Sequence, residues 1–175
     1  EGFGEGYLNS IDRTVRHIFR SSSRCDGKFF ADIALGETFV GTDGATLSFA
    51  SDSETVETPC GKFENCQLWM TKLWDDKGKS IFKSYYKDGI GIVRHDHTND
   101  GVTESYLLKD YHVKTKKGLL PLDAGNTWEY VSGHDPEAIT SELVFTVSFA
   151  NDEKVIVSSW ENLIRHKYND NSWLE

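Results

Sequence analysis

The sequence predicts an all-β chain with at most a minor helical part: antiparallel curved sheets built from two degenerate repeats that run out of phase with the chain's ends. Three observations predict it. The chain resembles itself: Phe30–Phe39 reads FADIALGETF and Leu119–Trp128 reads LLPLDAGNTW, so Gly36, Thr38 and Phe39 fall on Gly125, Thr127 and Trp128. Self-similarity of this kind constrains architecture before any local pattern does. Asp-Gly occurs at Asp26-Gly27, Asp43-Gly44, Asp88-Gly89 and Asp100-Gly101, the dipeptide that accepts the positive φ angles of tight hairpin turns. Between such turns the period is two. Leu143, Phe145, Val147 and Phe149 alternate with Val144, Thr146 and Ser148, and Cys66, Leu68 and Met70 with Gln67, Trp69 and Thr71, as half-buried strands do.

The elements follow in order. Glu1–Leu8 (EGFGEGYL) echoes Asp88–His95 (DGIGIVRH), and Thr14, Ile18 and Phe19 fall on Thr103, Leu107 and Leu108. Asn9–Ser21 is the one stretch with helical capacity, and its match to a strand favours strand. Ser53–Trp74 reads as a hairpin turning near Pro59–Lys62. Ile81–Tyr86, Ile90–His97 and Val102–Val113 read as three successive strands, joined by Lys87-Asp88-Gly89 and by Asn99–Gly101. Lys114–Gly118 (KTKKG) is a charged connector, and Ser141–Trp160 a second hairpin turning at Asn151–Lys154. Trp69 and Trp160 are expected at matched points of the two copies. The chain thus reads as one β-rich unit, 1–175, of two similar lobes, 26–114 and 115–175 plus 1–25. The C-terminal copy stops where the first continues into Ile81–Val113. Residues 1–25 resemble that missing part and are expected to complete its sheet, since an unpaired edge invites aggregation.

Bulk properties exclude some functions. The length of 175 residues supports one good core or two small ones, and the formal charge is −9. A backbone-reading nucleic-acid protein needs a basic footprint, so nucleic acid is not an expected partner. No apolar run reaches the roughly 20 residues of a helical membrane span, so none is expected. The first residue is Glu1 rather than Met, which fits a removed leader or an excised fragment. The cysteines Cys25, Cys60 and Cys66 are odd in number and make no disulfide framework. Cys60 and Cys66 flank a turn and could pair, but free, partly buried thiols are the favoured reading.

Thr58–Cys66 (TPCGKFENC), then a strand, then Tyr85–Val93 (YYKDGIGIV) resembles a pattern of secreted bacterial proteins and lipoproteins, Thr-Pro-x-Gly-x-Phe-x-Asn-Cys followed by Tyr-Tyr-x-x-Gly-x-Gly. Their opening Pro-Leu-x-x-Gly-x-x-Trp segment is similar to Pro121, Leu122, Gly125 and Trp128 here. The resemblance spans about residues 30–130. It implies a curved antiparallel sheet, loosely like the periplasmic lipoprotein-carrier folds, and an extracytoplasmic, bacterial setting. It implies no catalytic residue. Cys60 departs from the small residue usual at its place.

Candidate chemistry is sparse. His95 and His97 share a strand face. If Asp100-Gly101 is a two-residue turn, Glu104 lies opposite His97 and Tyr106 opposite His95. Two imidazoles and a carboxylate are a weak candidate metal site, since zinc takes three or four such ligands. Solvent-side polar residues of a hairpin explain them better, and Leu8 and Ser10 stand at the matching N-terminal places. Gly2, Gly4 and Gly6 lack the flanking strand and helix of a phosphate loop. Gly89 and Gly91 repeat the feature in a meander, so turn glycines are expected. Among the aromatics, Trp173, Trp74 and Tyr85 are weak candidates for ligand stacking, while Trp69, Trp128 and Trp160 read as core. Asp75 and Asp76 could be an acid/base pair but sit in a charged turn. No nucleophile motif occurs, and no cofactor and no catalytic residue is expected. The expected function is a non-enzymatic extracytoplasmic β-domain of a bacterial surface or secreted protein, a structural module or one binding a small ligand, glycan or protein. The alternatives are a hydrolase of polysaccharide or peptide, and a carrier of a small apolar ligand in a curved-sheet cavity.

Overall fold

The computed structural model describes residues 33–40, 46–75, 78–116, 118–119, 121, 123–133, 141–150 and 155–163, with backbone alone for 73–75, 78, 133, 141, 149–150 and 155–163. The expectations for residues 1–25, including the Asn9–Ser21 strand, lie outside the described residues, as do the turns at Asp26-Gly27 and Asp43-Gly44. The strands are β1 (Thr38–Val40), β2 (Thr46–Thr58), β3 (Gly61–Asp75), β4 (Gly78–Lys87), β5 (Gly91–Asn99), β6 (Val102–His112), β7 (Thr127–Gly133), β8 (Ser141–Ala150) and β9 (Val155–Leu163). They form one antiparallel sheet in chain order, with β1 and β9 at its two ends among the described residues. No helix occurs among the described residues, so the protein is all-β.

The turns follow the sequence. Asp100 and Gly101 both have positive φ, 47° and 85°, the geometry that an Asp-Gly hairpin turn requires. The turn places His97 opposite Glu104 and His95 opposite Tyr106, the expected register. Gly89 takes φ 73° and Gly91 φ 107°, and a Cβ on Gly91 would stand 3.1 Å from the Trp128 indole nitrogen. Both glycines are therefore demanded by backbone and packing together.

One face of the sheet carries the core. On this face lie Leu47 of β2, Trp69 of β3, Tyr86 of β4, Leu108 of β6, Trp128 and Tyr130 of β7, and Leu143, Phe145 and Val147 of β8, all buried. Phe49 stacks flat on Trp69, with centroids 4.6 Å apart, and Phe145 meets Tyr130 edge-on at 5.8 Å. Burying such a face is the main driving force of a sheet this size.

The sheet is rolled, and the ladder shows where. β5 and β6 pair from Asn99↔Val102 only as far as Arg94↔Leu107. Beyond that point β6 stays with β7, while Gly91 and Ile92 stay with β4. The carbonyls on this opened seam find other donors. Cys60 N–H, from the β2–β3 turn, donates to Leu108 O at 3.4 Å, although β4 and β5 stand between β3 and β6. The Trp128 indole N–H donates to Ile90 O at 2.6 Å and the Tyr130 hydroxyl to Ile92 O at 2.9 Å. The ladder between β6 and β7, Ser105↔Gly133 to His112↔Thr127, joins the two expected lobes into this one sheet.

One matched placement is corrected. Trp69 lies opposite Phe49, and Trp160 opposite Val144. Val147 holds the place in β8 that Phe49 holds in β2, and its partner is Val157. Val157 therefore stands at the Trp69 position, because the second hairpin is shorter than the first and shifts the count.

Candidate functional site

The His95–His97 strip was the sharpest cluster in the sequence, and the sheet explains what surrounds it. β4 lies on the other side of β5, with Phe82 opposite His97 and Ser84 opposite His95. The Phe82 ring stacks on His97, centroids 4.4 Å apart and 8° from parallel, and lies 6.0 Å from the His95 ring. Ser84 Oγ and His95 Nδ1 share a hydrogen bond of 2.8 Å. His95 is buried. Burial pushes its pKa down to about 4 against the pull of neighbouring Asp96, with His97 adding to the drop. It is a neutral imidazole at pH 7, and the bond to Ser84 occupies one of its two ring nitrogens.

The opposite face of β5 holds a different group. Arg94 Nε donates to Asp96 Oδ1 at 2.8 Å, and the guanidinium lies 5.4 Å from the centroid of Tyr85. The bond to Asp96 raises the Arg94 pKa further. Asp96 is buried, so Arg94 supplies the charge that a buried carboxylate needs. Tyr85, a weak stacking candidate, is half-buried within this group, and burial raises its phenol pKa. On β6, Lys109 reaches Glu129 at 2.6 Å and Glu142 at 2.7 Å, bridging β7 and β8 at the surface. Those two carboxylates raise its pKa.

The structure brings His95 and His97 to one face with Glu104 across the ladder. Among the described residues no three His, Cys, Asp or Glu side chains are grouped to hold a metal ion. Trp173 and the side chains of Trp74, Asp75 and Asp76 lie outside the described residues. Cys60 and Cys66 are free thiols. Cys60 Sγ sits 3.3 Å from Thr58 Oγ1, whose hydroxyl also donates to Gly61 O at 3.1 Å. Cys66 is fully buried, and burial raises its pKa.

Sequence reasoning missed Ser84, the Arg94–Asp96–Tyr85 group and the Lys109 bridge. All are cross-strand contacts, and only the register on both sides of a strand could have pointed to them. Among the described residues, no helix is long and apolar enough to cross a membrane. Comparisons with protein-family models, with curated proteins and with solved structures find no match.

Proposed function

We propose that this chain is a non-enzymatic β-module of a bacterial surface or secreted protein, working outside the cytoplasm as a structural or binding unit. One observation supports it above the others: the buried polar tips tie the strands and their connections to one another. Trp128 and Tyr130 bond the carbonyls of Ile90 and Ile92, Ser84 bonds His95, and Asn126 bonds Pro121 O at 2.7 Å and Lys114 N at 3.0 Å. Groups engaged in this way hold a shape, whereas catalysis needs polar groups aimed at a reacting atom. The extracytoplasmic and bacterial parts of the reading rest on the resemblance of Thr58–Cys66 and Tyr85–Val93 to secreted domains.

The carrier reading has one observation in its favour. Phe39, Phe49 and Tyr106 are half-buried beside the buried core, which gives the core a partly open apolar margin. Two experiments test the proposal. Antibody against the chain should label intact source bacteria as well as lysed ones; labelling only after lysis overturns the location. The purified chain should neither hydrolyse a panel of polysaccharides and peptides nor quench a fluorescent fatty-acid probe. Turnover makes it a hydrolase, and saturable quenching makes it a carrier.

A further inference from the structure

The guanidinium of Arg94 is held from two sides. Its Nε donates to Asp96 Oδ1 at 2.8 Å, and its central carbon lies 5.4 Å from the centroid of the Tyr85 ring. Both contacts follow from the ladder. Arg94 and Asp96 stand two apart on β5 and so share a face. Tyr85 lies opposite Arg94 on β4, and Lys83 opposite Asp96. The two partners of the ion pair differ in exposure, with the Asp96 side chain 7% exposed and that of Arg94 38% exposed. A carboxylate is thus desolvated to fix a guanidinium that stays at the surface. A contact residue locked by its neighbours is preorganised for a ligand.

The bond to Asp96 uses the Nε donor and leaves the fork of terminal amino groups. Among the described residues, those amino groups make no hydrogen bond, and Lys83 makes neither a hydrogen bond nor an ion pair. Lys83 does not pair with Asp96, although the ladder sets them opposite one another. Two cations therefore face one carboxylate. Glu54 is the other acidic group whose charge reaches this cluster, where it acts on the Tyr85 phenol together with Asp96. Leu68 stands opposite Tyr85 and Leu107 opposite Arg94, both half-buried. Apolar neighbours of this kind displace water and strengthen a charged contact beside them.

We propose that the terminal amino groups of Arg94, with Lys83 beside them, form a binding site for a ligand carboxylate, carried by a simple organic acid or by an acidic sugar. The planar fork matches a carboxylate through two parallel hydrogen bonds, and the ammonium adds a point charge. Arg94 and Lys83 exceed Asp96 by one positive charge, which suits a monoanion, and Glu54 opposes a dianion such as phosphate. The site rests on the binding part of the proposed function and is independent of the chain's location.

Titration of the ¹⁵N-labelled chain with sodium acetate, sodium glucuronate and glucose, at fixed ionic strength, tests the site through the Arg94 Nε–Hε signal. Both carboxylates should shift that signal saturably in the millimolar range, and glucose should leave it in place. Tighter binding of glucuronate makes an acidic sugar the source of the carboxylate, and equal binding makes it a simple acid. No saturation with either carboxylate, or an equal response to glucose, overturns the proposal. Three variants locate the contact. Arg94→Lys keeps the charge and loses the fork, so glucuronate binding, read by calorimetry, should weaken by about tenfold or more. Lys83→Met should weaken it several-fold, and Glu54→Gln should strengthen it. These last two change side chains at the surface, so they read the site even if Arg94→Lys does not fold. Equal affinity in the parent chain, Lys83→Met and Glu54→Gln overturns the assignment. A negative result strikes this site alone, because location and turnover are read by surface labelling and by the hydrolysis panel.

Discussion

The Trp128 indole donates its N–H to the Ile90 carbonyl at 2.6 Å across the width of β6. The bond exists because the chain before Arg94 is not paired with β6, freeing carbonyls that a continuous ladder would have used. A buried carbonyl without a partner costs about 1–3 kcal/mol, so the side chains of β7 make the seam tolerable. Its rolled geometry is what brings the β2–β3 turn against Leu108.

The seam bonds should be measurable. Trp128→Phe should destabilise by about 1–3 kcal/mol, chiefly by orphaning the Ile90 carbonyl, and Trp128→Ala by about 3–5 kcal/mol as a large-to-small core change. Tyr130→Phe should cost about 1–3 kcal/mol for the same reason at Ile92. Urea unfolding gives all three. An unchanged midpoint for both Phe variants would mean that the seam carbonyls are satisfied without these side chains.

Stability should fall with acid through His95. Its folded pKa of about 4 lies below the usual value of 6.5. Between those pH values the unfolded chain binds the proton and the folded chain does not, so stability is complete above about 6.5 and is lost as pH falls toward 4. The loss attributable to this group is on the order of 3 kcal/mol. Comparing urea midpoints at pH 7 and pH 4.5, His95→Gln should show a smaller drop than the parent chain. Equal drops would assign the acid sensitivity to other groups.

Gly91 and Gly101 should respond differently to alanine. At Gly101 nothing lies within 4 Å of an added Cβ, and the cost is backbone strain alone, about 1 kcal/mol. At Gly91 strain adds to a 3.1 Å approach to Trp128, so the cost should exceed that of Gly101→Ala, with a total of about 1–3 kcal/mol or more. A Gly91→Ala protein as stable as Gly101→Ala would show that the Trp128 ring shifts freely.

The two described thiols should differ in reactivity. Cys60 is half-buried, while Cys66 is fully buried with its pKa raised by burial, which keeps it a protonated and shielded thiol. Alkylation of the native protein at pH 8, read by peptide mass, should modify Cys60 well before Cys66, and both after unfolding. A Cys60–Cys66 disulfide in the purified protein would contradict this.

The sequence by itself determined the class of fold, the turns at Asp88-Gly89 and Asp100-Gly101, and much of the local register. Asp100-Gly101 needs positive φ at both residues, so the residue types alone fixed the pairing of His97 with Glu104. The alternation along β8 fixed which face Leu143, Phe145 and Val147 bury. The likeness of Gly36 to Gly125 pointed to two loops that share their hydrogen bonds. What only the tertiary structure decided lies across strands and across the seam. His95 meets Ser84 across the β4–β5 ladder, Arg94 holds Asp96 along β5, and Trp128 reaches Ile90 where β5 parts from β6. That departure belongs to the roll of the whole sheet, where twist and core packing are settled together. The period of two says which side of a strand a residue takes, and not how far the neighbouring strand follows it.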